Sequence, residues 1–186
     1  MKWIGRLVLL LLAAVLIAGG VLAVHLLRSL PQLDGGLQLT GLSAPATISR
    51  DAADLTHIEG ATALDTWRAL GFVHAQERGW QLEFNRRIMQ GELSEILGEA
   101  TLPTDKLMRT LGLMQAAQKQ LDLLPADVRE HLQAYSDGIN AFHANRPQGL
   151  PPEFALMRTQ PGGEKGVAWQ PVHSVAWSLV MALDLG

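Results

Sequence analysis

The chain has 186 residues, 48% of them hydrophobic, and a formal net charge of -3. That length suits one globular domain with a sizeable core plus a signal or anchor, and leaves no room for a second independent domain. The absence of any Lys/Arg block excludes a nucleic-acid-binding face. With no cysteine in the chain, disulfides, thiolate zinc sites and a cysteine nucleophile are excluded as well.

The amino end is the first element. Between Leu7 and Leu27 the only polar side chain is His25, and the run follows a basic start at Lys2 and Arg6. About 20 apolar residues are what a membrane-spanning helix requires. The basic flank keeps Met1 cytoplasmic and exports everything after Arg28 to the periplasm or the outside. Residues 1–30 therefore read as an uncleaved inner-membrane anchor. The rival is a signal peptide cut after Val21-Leu22-Ala23, with secretion of the remainder.

Pro31 to Gly36 is rich in turn formers and reads as a linker. Three stretches of strand character follow: Leu37 to Leu42, Ala46 to Arg50 and Leu55 to Glu59. So few short strands bury too little to stand alone, so they are expected to join a larger sheet. From Asp65, taken as an N-cap, the pattern turns helical. Ala69, Phe72, Val73, Trp80, Phe84 and Ile88 recur at helical spacing and form one apolar stripe, which ends at a break at Gly91 before Glu92 to Leu97. A second helix is predicted over Asp105 to Leu124, capped by Thr104, with Leu107, Leu111, Met114 and Leu121 inward. Pro125 opens a third helix, with Val128, Leu132, Tyr135, Ile139 and Phe142 as its stripe; the stripe carries the helix through Asp137-Gly138. A loop covers Arg146 to Gly166, and an apolar helix runs from Pro171 to the end.

No self-contained active site emerges. Gly41-Leu42-Ser43-Ala44-Pro45 approaches the G-x-S-x-G nucleophile elbow but lacks its last glycine and its strand-to-helix context. His57 and His74 read as packed or surface residues, and no metal-ligand spacing is present. Glu77, Arg78, Glu83, Arg86 and Arg87 admit two readings. One is an exposed helix face laced with i,i+4 pairs; the other is a set of charges held against another segment by arginine's planar fork.

The segment Gly71 to Arg87, GFVHAQERGWQLEFNRR, resembles the penicillin acylase (penicillin amidase) family, whose first subunit carries G-Y-V-x-A-Q-D-R-x-x-Q-M-E-x-x-R-R. Gly71, Val73, Ala75, Gln76, Arg78, Gln81, Glu83, Arg86 and Arg87 match outright. Further elements follow in the family's order. Arg50-Asp51 and His57-Ile58 are similar to R-D-x-x-G-x-P-H-I, with Asp54 and Thr56 in place of glycine and proline. Gly91 to Gly98 is similar to G-x-L-A-E-x-x-G, and Asp105, Arg109 and Leu111-Gly112 come after it. Ala134 to Ala141 is similar to A-Y-A-D-G-V-N-A, and Leu150 to Phe154 and Trp169-Gln170-Pro171 complete the series.

The resemblance implies an α+β chain, mostly helical, forming part of a four-layered αββα N-terminal-nucleophile hydrolase fold, with residues 31–186 as a truncated first-subunit region. It implies a precursor that cuts itself into two chains and a serine nucleophile that opens the second, catalytic subunit. No catalytic residue lies in this chain. The implied reaction is hydrolysis of the amide bond of N-acyl compounds, β-lactam antibiotics or acyl-homoserine lactones. Met181 begins the family's substrate-pocket element, whereas Leu183, Asp184 and Leu185 depart from the penicillin-selective pattern. No cofactor or metal site falls within the chain; the complete enzyme's calcium would be held by a glutamate just past Gly186. The fragment alone is expected to be inactive and, with its apolar stripes uncovered, to aggregate. The competing reading is a membrane-anchored helical binding or scaffold module without chemistry.

Overall fold

A computed structural model describes residues 2–145, 149–162 and 166–185. Among the described residues the chain is mostly helical with one hairpin. Helix α1 (Lys2–Ser29) is the apolar run, and it lies outside the packed body with none of its apolar window buried. Strands β1 (Thr47–Arg50) and β2 (Thr56–Glu59) pair antiparallel with Ile48 opposite Ile58. The Asp51 side chain closes the turn between them by accepting the N–H groups of Ala53 and Leu55. Asp54 takes the left-handed backbone (φ 61) that the family's glycine would occupy. Aspartate tolerates this conformation better than most residues, so the turn survives the replacement.

The third expected strand, Leu37 to Leu42, does not form. Its backbone finds partners on a helix side chain instead of a ladder: Arg68 donates to the carbonyl of Gly41, and Leu39 packs on the core. The adjoining linker is docked in the same way, because Gln76 Nε2 donates to the Gln32 carbonyl at 2.9 Å.

Helix α2 (Ala63–Gln90) begins one turn earlier than its expected cap. Thr62 is the N-cap and accepts the Asp65 N–H, while Asp65, at the third helical position, accepts the Thr62 hydroxyl. This is the N-cap half of a capping box; the aspartate returns its bond to the threonine hydroxyl and not to the backbone N–H. The helix kinks at Arg78 (φ -131), beside Gly79, and ends at Gly91 in the left-handed conformation (φ 65). Short α3 (Ser94–Leu97) follows.

The expected second helix is two helices, α4 (Leu102–Leu111) and α5 (Leu113–Leu123), broken where Gly112 adopts φ 67. Thr101, and not Thr104, is the N-cap residue of the first of these, and Pro103 lies in its first turn. Two of its supposed inward residues face out, Leu107 being 52% exposed and Leu111 44%; Ala117 takes the buried place. Helix α6 (Ala126–Asn145) runs through Gly138 as expected. The loop predicted over 146–166 carries a short helix α7 (Pro152–Leu156) among its described residues. Helix α8 (Pro171–Leu185) closes the chain.

The core lies between α2, α5, α6 and α8, around Phe72, Met89, Ala117, Ile139, Phe142 and Ala176. Phe72 meets Phe142 edge-to-face at 5.3 Å, an arrangement that adds about 1 kcal/mol to the area buried.

Candidate functional site

The densest polar chemistry is a buried charge cluster on the last turns of α2. Glu83 is 4% exposed and Arg86 2%. The Glu83 carboxylate accepts Arg86 Nε and Nη2 at 2.9 and 2.8 Å and Arg87 Nε at 2.7 Å. Arg86 Nη1 also donates to Glu92 at 3.0 Å and to Gln90. Arg87 reaches Glu95 and the Thr159 hydroxyl, each at 2.9 Å. Burial works against the Arg86 charge, but bonding and attraction from Glu83 outweigh it and raise its pKa. The reading of these charges as an exposed face is therefore wrong for Glu83, Arg86 and Arg87. A charge this deeply buried persists when it is paired and hydrogen-bonded, as these three are. The exposed reading fits Arg78, while Glu77 pairs with Arg50 at the surface.

His173, on α8, packs against this cluster. Its Nε2 lies 3.0 Å from the Gln90 amide, and its Nδ1 accepts the Gln170 N–H at 3.0 Å. Burial, with the Arg86 charge beside it, pushes its pKa down to about 4, which keeps the imidazole neutral at physiological pH.

The other family residues hold the frame. Asp105 accepts the N–H groups of Leu93 and Ser94 at 2.9 and 2.8 Å, capping α3. Burial would raise its pKa, yet these bonds and Arg109 hold the carboxyl below the usual range. Asn140 brackets the backbone of Trp169 with its amide, donating to the carbonyl at 2.9 Å and accepting the N–H at 2.8 Å. Asp137 pairs with Arg68 at 2.7 Å. His74 Nδ1 meets the Tyr135 hydroxyl at 2.9 Å, and burial raises the tyrosine pKa to about 12.

Ser43 sits in a loop with no elbow. Its N–H and hydroxyl both bind Asp65, at 2.8 and 2.5 Å, and these bonds, outweighing desolvation, hold the aspartate below its ordinary pKa. His57 pairs with Asp51 at the surface. Among the described residues no three His, Asp or Glu side chains converge to hold a metal. The cluster around Glu83 does not suit calcium either, because its carboxylate oxygens are occupied by guanidinium groups. Met181 lies near the carboxyl end of α8 and is 44% exposed. A cavity of about 300 Å³ between the 32–48 segment and α2 is lined by Leu33, Leu39, Ile48, Phe72 and Gln76 among others, and Met181 is not one of its walls.

The sequence profile described as Penicillin amidase matches residues 45–186. The chain belongs to the penicillin amidase family. It is 38% identical over 158 residues to the penicillin acylase 2 proenzyme of Pseudomonas sp. (strain SE83), covering 85% of this chain and 20% of that protein. To the acyl-homoserine lactone acylase QuiP of Pseudomonas aeruginosa it is 34% identical, covering 83% of this chain and 17% of that one. The chain thus spans about a fifth of the length of these penicillin amidase relatives. Its fold matches a chain of the thermostable penicillin G acylase from Alcaligenes faecalis with a TM-score of 0.65 and 25% identity, over 75% of this chain and 73% of that one. The helices and hairpin are accordingly part of a penicillin acylase fold, and the family's motif residues serve as its fasteners. Sequence reasoning has no reading for His173, and it matches Asn140 to the family only within Ala134 to Ala141, without a role; the separate match at Trp169-Gln170-Pro171 is the other half of the contact that Asn140 makes.

Proposed function

We propose that this chain is the first-subunit region of a penicillin acylase-like amidohydrolase, anchored by α1 with its domain outside the cytoplasm, acting on N-acyl compounds. The in-order family match over residues 45–186 carries this reading. The nucleophile is a serine that opens the second subunit. Its hydroxyl oxygen attacks the amide carbonyl carbon as the proton passes to its own α-amino group. That base, with an unperturbed pKa of about 8, suits the task near neutrality. The amine then leaves with the proton, and water releases the acid.

The residues of this chain fix geometry instead of reacting. The charge cluster and the Asn140 bracket hold α2, α6 and α8 in register, and α8 presents Met181 to the acyl group of the substrate. Penicillins and acyl-homoserine lactones are the two substrate classes named in the relatives and the two to test.

The experiment is hydrolysis of a phenylacetylated β-lactam and a series of acyl-homoserine lactones by the gene product extended past Gly186. Release of the free acid, with the ratio of kcat/KM between short and long acyl groups altered by Met181→Ala, supports the reading. A ratio unchanged by that substitution removes Met181 from the pocket. A reading frame that stops soon after Gly186, without a processing site, would replace the enzyme with a scaffold module.

A further inference from the structure

The end of the anchor helix touches the domain directly. The carbonyl of Arg28, in the last turn of α1, accepts the Gly149 N–H at 2.6 Å, and the end of α1 packs on α7. The segment that follows is pinned by Gln76, Arg68 and Asp65. No free tether therefore separates the membrane segment from the body.

Depth follows from length. At 1.5 Å per residue, an apolar run from Leu7 to Leu27 spans roughly the 30 Å of a hydrocarbon core, so His25 to Arg28 lie at its outer boundary. Whatever packs on His25 and Arg28 lies at that depth too. A crevice of about 460 Å³ at this junction is walled by His25, Leu150, Phe154, Ala155 and Arg158. Phe154 is buried against Trp80 and fixes α7 to α2. Leu156, on the same short helix, is 75% exposed. Arg28, at the end of α1, and Arg158, two residues past Leu156, are both exposed; long cationic side chains at such a boundary lay their stems on apolar surface and reach the headgroups with their charge.

We propose that the rim from Leu150 to Arg158 is a second membrane contact, resting in the outer headgroup layer of the bilayer that α1 crosses. Leu156 enters the acyl boundary, and Arg28 and Arg158 bind anionic headgroups. The domain then shows one fixed face to the membrane. This rests on α1 being retained as an anchor, and the test separates the two.

The chain lacks cysteine, so Leu16→Cys and Leu156→Cys each give a single labelling site on an exposed side chain. Each variant of the full chain carries an environment-sensitive fluorophore and is reconstituted in phosphatidylethanolamine/phosphatidylglycerol vesicles. Lipid-borne nitroxides, deep and shallow, are compared with aqueous iodide. The expected result is loss of the Leu16 signal to the deep nitroxide and of the Leu156 signal to the shallow one, with iodide the weaker quencher at both. If Leu16 is quenched by lipid but Leu156 only by iodide, the rim contact is overturned and the anchor stands. If the Leu16 site answers only to iodide, or the chain does not stay with the vesicles, both are overturned.

Discussion

Glu83 is the residue on which the charge cluster turns, because three guanidinium N–H groups end on its two oxygens. Removing one partner of a buried ion cluster leaves charges unpaired in a medium that cannot solvate them, at a cost of about 3–5 kcal/mol. Glu83→Ala is expected to cost that much in chemical denaturation, and Glu83→Gln, which keeps the shape, less. A second prediction follows from His173. Its folded pKa is about 4, below the ordinary 6.5, so the unfolded chain takes up a proton before the folded one does. Its contribution is therefore complete above about pH 6.5 and is lost as pH falls toward 4, amounting to about 3 kcal/mol at most. Urea midpoints measured across that window should fall in the native chain and fall less in His173→Gln. A slope unaffected by that substitution would assign the acid sensitivity elsewhere. A third concerns Asp54, held at φ 61: Asp54→Gly relieves a left-handed residue and should stabilise the hairpin by up to about 1 kcal/mol, read as a rise in Tm.

At the scale of elements, the crossing of α2 and α6 depends on two glycines that meet the opposite backbone. A methyl group at Gly71 would lie 2.0 Å from the Tyr135 carbonyl oxygen, and one at Gly138 would lie 1.9 Å from that of Arg68. Neither backbone can yield locally, so Gly71→Ala or Gly138→Ala must push the helices apart and empty the Phe72–Phe142 contact. Losses of about 3 kcal/mol or more are expected, on the scale of core disruption, and wild-type midpoints in either variant would contradict the crossing. These glycines explain how the sequence reads. Gly138 costs about 1 kcal/mol of helix propensity relative to alanine, yet the apolar stripe of α6 outweighed it and the helix was legible. The stripe of α2 was legible for the same reason, and its break was legible because the stripe stops where Gly91 takes the left-handed C-cap. Gly112 was not, because the apolar pattern continues across it, and only the structure shows the left-handed turn that splits α4 from α5. The burial of Glu83, Arg86 and Arg87 was also hidden. Charges at i,i+3 and i,i+4 spacing look the same on a solvated face as in a closed network, and the partners that decide the matter, Glu92, Glu95 and Thr159, come from other turns of the chain. The strand expected at Leu37 to Leu42 failed because strand-forming residues do not determine whether a neighbouring strand exists.

At the scale of the molecule, the matched region and the fold give a penicillin amidase scaffold, and the working groups of the proposed reaction lie outside it. Leu107, Leu111 and Leu123 leave apolar surface uncovered on α4 and α5. Isolated in water, the chain should self-associate through such surface; a monodisperse peak in light scattering, in the absence of detergent and partner, would contradict that. The central claim is that this region builds the enzyme without supplying its nucleophile. The most direct test is an acylase assay on the purified 186-residue chain beside the same chain extended by the downstream region. The prediction is no release of free acid from N-acyl substrates by the chain alone and measurable release by the extended protein. Turnover by the 186-residue chain itself would contradict the claim, because it would place a nucleophile among residues none of which is assigned a part in the chemistry.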